Sequence, residues 1–407
     1  TGMRKTLCVL LMLLTLIGFA SMATGETAAD ITSQAIFTAN GKKIKPKEMR
    51  DRKYTTYYTV KKGGRIEADG GQNLSAVKLQ FYERAARCLV EACVEDEWQE
   101  VGEAGDYLSD YFSLPEGTRQ VRLTNLSDSR MYLAEVTLYG EGEEPEDAPH
   151  WTQLSKADLM LVVAHPDDEL LWFGGLLPTY AGERQLAVQV VYVVPTTPNR
   201  RLELLDGLAH CGVTAYPAFV GMRDVRANTL EGQYKKWNRN RLYEKMTELV
   251  RRYQPEVLVT QDFHGEYGHG AHRATADAAV KAVEYAAKEK KYASSAKAYG
   301  TWQVKKVYVH LYDKGQLSLD WHIPLDAFGG KDSMTVATEA LAYHASQMKH
   351  GWGMEEGGSN DNRLLGLYFT TVGEDSHGDD LMENIPADAL LGAGADDADD
   401  GRNGTGR

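Results

Sequence analysis

The 407-residue chain has only four cysteines, too few for a disulfide-stapled scaffold. Cys8 lies inside an apolar leader, which leaves Cys88, Cys93 and Cys211. Cys88 and Cys93 can pair in an oxidising compartment or can serve as small buried side chains, and both readings stand. Positive charge is also in deficit. With 45 Lys and Arg against 58 Asp and Glu the net charge is -13, which excludes a nucleic-acid backbone as the main partner and favours a neutral or cationic one. The longest apolar run, residues 7–20, falls short of the roughly 20 residues of a spanning helix. Arg4 and Lys5 precede it and Ser21-Met22-Ala23 follow, the pattern of an export signal cleaved after Ala23. The expectation is an exported protein, secreted, cell-surface or periplasmic, with no stable membrane span after cleavage; a permanent anchor is the alternative.

Apolar residues make up 43% of the chain and charged ones 25%, enough for a substantial core, and the length suggests two domains. Residues 31–142 carry short alternating runs. Val77, Leu79 and Phe81 interleave with Lys78, Gln80 and Tyr82; Ala134, Val136 and Leu138 interleave with Glu135, Thr137 and Tyr139. Period two predicts strands with one buried face, and turn-formers such as Asp69-Gly70-Gly71 between them predict an antiparallel β-sandwich over residues 24–148. The acidic stretch 141–147, with Pro145, reads as a linker, and a chain beginning near Pro149 is expected to fold and act alone.

From residue 159 the texture changes. Runs at 159–164, 187–194 and 257–260 are apolar on both faces, as buried parallel strands are, and helical segments at 169–181, 200–210 and 233–253 separate them. This repeated βαβ order predicts a Rossmann-like, doubly wound, mostly parallel α/β sheet over residues 149–386, with its ligand site beyond the carboxyl ends of the strands. Residues 387–407, rich in Ala, Asp and Gly, are expected to form a disordered acidic tail.

Chemistry-bearing residues stand at those strand ends. Ala164-His165-Pro166-Asp167-Asp168-Glu169 follows the first strand, and adjacent carboxylates beside an imidazole at a buried strand mouth call for a compensating cation. His264-Gly265-Glu266-Tyr267-Gly268-His269-Gly270-Ala271-His272 follows the strand at 257–260, with His269 and His272 one helical turn apart. Taken singly, either cluster can be a capping or surface feature. Together, two histidines and an aspartate with an open position have the composition of a catalytic zinc site.

These strings resemble the PIG-L/LmbE family of metal-dependent N-acetylglucosaminyl deacetylases, and the resemblance extends over roughly residues 155–385 through Tyr308-Val309-His310, His344-Ala345-Ser346-Gln347 and Leu367-Tyr368. It implies that His165, Asp168 and His272 bind Zn2+, that Asp167 is the general base, and that His269, if protonated, stabilises the oxyanion. Fe2+ can occupy the same ligands. One departure stands out: many members have Pro-Asp where this chain has Gly270-Ala271, so the group that orients His269 must come from elsewhere, Glu266 being one possibility. The amino-terminal strands resemble the galactose-binding or discoidin-like class, which implies either glycan binding through aromatics such as Trp98 or Tyr107 or simple bracing of the neighbouring domain.

Arg223, Asp224, Glu266 and His344 are further candidates for the sugar pocket; an ion pair is the structural alternative for Arg223-Asp224, and helix packing for His344 and Gln347 on a helix expected over residues 335–347. His310 reads as structural. Two functional readings follow. One is an enzyme that deacetylates an N-acetylated sugar, glycan or glycoconjugate. The other is an exported glycan-binding protein with a degenerate catalytic domain, motivated by Ala271. The spare carboxylate Asp167 favours the enzyme, and the sequence leaves the oligomeric state undefined.

Overall fold

Alternating apolar residues between 36 and 139 produce ten strands, which the computed structural model, describing residues 26–391, arranges in two antiparallel sheets. They are β1 (Ile36–Ala39), β2 (Lys42–Ile44), β3 (Tyr58–Val60), β4 (Arg65–Asp69), β5 (Ala76–Phe81), β6 (Cys88–Val94), β7 (Glu97–Ala104), β8 (Ser109–Ser113), β9 (Gln120–Asn125) and β10 (Met131–Tyr139). One sheet runs β2-β1-β4-β9-β6-β7 and the other β3-β10-β5-β8. The leader expected at residues 1–23 lies outside the described residues, as do residues 392–407 of the expected tail.

The single-face expectation fails at β5, where all six residues are buried. Val77, Leu79 and Phe81 join the core, while Lys78 and Gln80 on the other face are covered by α2 (Pro198–His210). Burial of a lysine there is sustained by charge pairing. Lys78 Nζ sits 2.8 Å from Asp206 and 2.9 Å from Asp147, Gln80 donates to Asp206 at 3.0 Å, and Tyr54 donates to the same carboxylate. One hydrophobic cluster runs from Phe37 and Leu133 through Leu161 to Leu205. The boundary near residue 150 is therefore crossed by both ionic and apolar contacts.

Cys88 and Cys93 both lie on β6, five residues apart, so they project to opposite faces and remain free thiols. This removes the disulfide reading. Trp98 lies under the Arg122 guanidinium at 4.1 Å and Tyr107 packs on Tyr216 at 4.9 Å. The latter contact braces the two parts of the molecule.

The remainder is a mixed α/β arrangement around a seven-stranded sheet in the order β13-β12-β11-β14-β15-β17-β16. Its strands are β11 (Leu159–Val163), β12 (Val188–Tyr192), β13 (Ala218–Phe219), β14 (Val257–Thr260), β15 (Lys306–His310), β16 (Gln316–Ser318) and β17 (Leu364–Thr370). β11 to β15 are parallel, and β17 and β16 close one edge with antiparallel pairing. β11 lies between β12 on one side and β14 on the other.

Three expected helices are interrupted, each for a local reason. The segment at 169–181 gives a short α1 (Asp168–Leu171) and a π-helical turn at Pro178–Glu183, separated by Gly174 at φ 49. A Cβ at Gly174 would meet Trp321 and Asn362 at 2.7 Å. The segment at 233–253 divides into α3 (Leu230–Lys236) and α4 (Arg239–Tyr253), because Asn238 caps the second by accepting from the Arg241 N–H. Beyond α5 (Gly270–Ala286) and α6 (Ala293–Tyr299), the helix expected over residues 335–347, on which His344 and Gln347 would sit, becomes α7 (Ser333–Ala342) and α8 (Ala345–Met348), broken where His344 turns inward. Residues 387–391, expected in the disordered tail, instead include a 3-10 turn (Ala387–Ala389) and dock on the residues just before β11. The Leu391 N–H donates to Asp158 and the Ala389 carbonyl accepts from Lys156. No helix among the described residues is long and apolar enough to cross a membrane.

Candidate active site

β11 is apolar throughout and leads into Ala164, whose N–H is held by Gln261 Oε1 from just beyond β14 at 2.9 Å. The chain then turns through His165-Pro166-Asp167 into α1. Asp167 adopts φ 110, rare for a residue with a side chain. The turn brings the Asp168 carboxylate back onto its own loop. Oδ2 accepts from the His165 N–H at 2.7 Å and Oδ1 from Trp172 Nε1 at 2.8 Å. His272 reaches the same point from the first turn of α5, with Nε2 3.4 Å from Asp168 Oδ2.

Potential ligand atoms of His165, Asp168 and His272 lie within 4.8 Å of one another. A hydrogen-bond argument supports a cation there. His272 Nδ1 lies 2.7 Å from Glu266 Oε2 and donates to it, and the buried Nε2 on the other side of the ring has no hydrogen-bond partner, only the Asp168 carboxylate at 3.4 Å. A buried ring nitrogen without a hydrogen-bond partner, between a carboxylate and a second imidazole, fits a divalent metal. Asp168 is buried, which by itself raises its pKa, but His272 and the bonds from His165 hold it well below the usual carboxylate range.

Asp167 differs from its neighbour. Burial and then the Asp168 charge push its carboxyl up to about 7, against the opposing pull of Arg200. Its Oδ1 lies 3.3 Å from the Arg200 guanidinium, which also holds the Pro166 carbonyl. Arg200 was not legible as a site residue, because α2 brings it in from the neighbouring strand and no motif surrounds it. Glu169 is likewise buried beneath the loop, accepting the Asp167 N–H at 2.9 Å and lying 3.0 Å from His344 Nε2.

Several expectations change. Glu266 neither orients His269 nor faces a substrate. It is fully buried, with His272 Nδ1 and His310 Nδ1 each 2.7 Å from its oxygens. Burial alone would raise its pKa, but those two imidazoles hold it at about 2. His310, read as structural, belongs to this support. His269 caps α5 and its Nδ1 accepts the Ala271 N–H at 3.2 Å. A backbone amide thus fixes the ring with the opposite polarity to a carboxylate: Nδ1 accepts, which leaves Nε2 to carry the proton of the neutral imidazole. Burial, then His272 and His165, lower the His269 pKa to about 3, so the ring is neutral rather than protonated.

His344 is fully buried against Glu169 and cannot touch a ligand. Asp224 stands exposed at the rim, 3.9 Å from His165 Nε2. Arg223 is exposed as well, and its carbonyl anchors Trp237 Nε1 at 2.8 Å. Tyr267 lines the rim with its ring 5.4 Å from that of His272. Two other polar features lie elsewhere. A cavity of about 960 Å³ at the β5–α2 junction shares no lining residue with the His165 cluster. Glu146, His210 and Glu339 also converge, but Lys331 Nζ already bridges the two carboxylates at 3.0 and 2.9 Å.

Residues 160–283 match the PIG-L family, described as GlcNAc-PI de-N-acetylase, and this segment is a PIG-L domain. A 1D-myo-inositol 2-acetamido-2-deoxy-alpha-D-glucopyranoside deacetylase 1 from Frankia casuarinae is 30% identical over 179 residues, 37% of this chain and 57% of the relative. The corresponding deacetylase of Mycobacteroides abscessus is 30% identical over 178 residues, 37% of this chain and 58% of the relative. The chain thus spans somewhat more than half the length of these relatives. Among solved structures, N,N'-diacetylchitobiose deacetylase from Pyrococcus horikoshii is 17% identical, with a TM-score of 0.36 covering 47% of this chain and 71% of that one.

Proposed function

We propose that this protein hydrolyses the N-acetyl amide of an N-acetylglucosamine-type amino sugar, using zinc held by His165, Asp168 and His272. The observation that carries the reading is the buried Nε2 of His272, without a hydrogen-bond partner and facing Asp168, with a second carboxylate, Asp167, beside the cluster but outside it. Bound there, zinc or ferrous iron acidifies water and polarises the acetamide carbonyl. Asp167 takes the proton of the attacking water at a carboxylate oxygen and delivers it to the departing nitrogen, while Arg200 fixes the carboxyl orientation. His269 donates its Nε2–H to the developing oxyanion, its other nitrogen being held by the Ala271 amide. Acetate and a free amino sugar result.

In this reading the α/β part, about residues 149–386, is the catalytic unit, arranged as a Rossmann-like sheet, and residues 24–148 form a smaller β-sandwich that braces it. Residues 1–23 direct export, so the substrate is a cell-surface or extracellular glycan. The test is acetate release from N-acetylglucosamine derivatives, lost on chelation and restored by about one equivalent of zinc. Undiminished turnover after exhaustive chelation overturns the metal mechanism. Metal-loaded protein that binds sugars but releases no acetate favours the alternative, a glycan-binding protein.

A further inference from the structure

Tyr267 and Trp352 form an aromatic shelf along one wall of the site, with ring centroids 5.0 Å apart and planes tilted by 32°. Each is 42% exposed, unusual for large aromatic rings already in contact with each other. Tyr267 is continuous with the cluster, 5.5 Å from His269 and 5.4 Å from His272. Its backbone is left-handed, φ 45 and ψ 28, a conformation that costs a tyrosine of order 1 kcal/mol or more and that projects the ring to the rim.

Trp352 stands one ring further out. Its neighbours Gly351 and Gly353 face open space, since a Cβ at either would meet nothing within 4 Å. The loop is nonetheless held, through Gly351 N–H to the Met348 carbonyl at 3.1 Å and Asn362 N–H to the Glu355 carbonyl at 3.0 Å. The indole is therefore presented on a fixed support. Asp224 stands at the rim 3.9 Å from His165 Nε2, and the Arg226 guanidinium lies over the Tyr267 ring at 6.0 Å.

We infer that Trp352 is a stacking subsite for a second pyranose ring, next to the sugar that carries the acetamide, so that the substrate is a saccharide chain rather than a single sugar. The inference rests on the proposed function for the identity of the first ring. A pyranose has an apolar C–H face and a rim of hydroxyls, and an exposed indole bordered by charged groups matches both.

The test is calorimetric titration of the full chain with the β-1,4-linked tetramer of N-acetylglucosamine and with the monosaccharide. Wild-type protein binds the tetramer more tightly. Trp352→Ala weakens tetramer binding about tenfold and leaves the monosaccharide unchanged, and Trp352→Phe restores most of the loss. Because binding needs no turnover, a chain that binds the tetramer through Trp352 without releasing acetate sustains the subsite while sinking the deacetylase reading. Equal affinity for tetramer and monosaccharide, no tetramer binding, or unchanged tetramer affinity in Trp352→Ala overturns the subsite.

Discussion

Glu266 Oε2 lies 2.7 Å from His272 Nδ1, and both side chains are fully buried. This contact decides which nitrogen of His272 faces Asp168. Carboxylates that hold a ligating imidazole in this way typically contribute 10- to 100-fold in metal affinity. Glu266→Gln is therefore expected to lose about that much zinc affinity, measured by competition with a chromophoric chelator, while thermal unfolding stays cooperative. Unchanged affinity would mean that the Glu266 charge does not support the metal site.

The two adjacent aspartates should separate on substitution. Asp168→Ala removes a charged group from the cluster, so metal content and acetate release fall together. Asp167→Asn keeps shape but removes the basic lone pair; the metal stays and kcat drops by roughly two to four orders of magnitude. Elemental analysis beside a rate assay distinguishes the two. The assignment collapses if Asp167→Asn loses metal as completely as Asp168→Ala.

His269 touches no described carboxylate and is held by the Ala271 amide. His269→Ala is expected to retain metal and lower kcat by roughly 10²- to 10³-fold, the usual loss for one oxyanion donor. A loss confined to KM would assign the ring to sugar binding instead.

Glu135 is buried at the β10 bulge and accepts the Lys53 N–H at 3.0 Å. Burial is the main cause of its rise from 4.5 to about 8. Because the folded form holds this proton more tightly, stability from the group is full below about pH 4.5 and declines as pH rises through about 8. Glu135→Gln should therefore match wild type at pH 5 and exceed it by about 1–2 kcal/mol at pH 9, a figure discounted for partial solvation. Thermal midpoints of both proteins across this range check it; parallel curves refute it.

Deleting everything before Pro149 takes Lys78, Gln80 and Tyr54 away from Asp206, which is 2% exposed. Breaking a buried pair typically costs about 3–5 kcal/mol, and here a helix face is uncovered as well. The shortened chain is expected to be insoluble or to melt well below the full protein. A soluble fragment with full activity on a small substrate would show that the two parts are independent.

The sequence by itself determined what periodicity and local spacing can carry. Alternation marked strands such as β10, both-face apolarity marked β11, β12 and β14, and the two histidine-containing strings at strand ends named all three members of the cluster. Only tertiary structure decided the partners, because hydrogen bonds between residues far apart in the chain leave no periodic trace. Arg200 meets Asp167 across 33 positions, and Glu266 joins His310 across 44. β5 looked half-exposed because a buried Lys78 reads as a solvent residue until Asp206 and Asp147 are seen to compensate its charge. The departure at Gly270-Ala271 looked like a missing group for the same reason: the donor to His269 is a backbone amide, which every residue but proline possesses and which only the helix geometry aims.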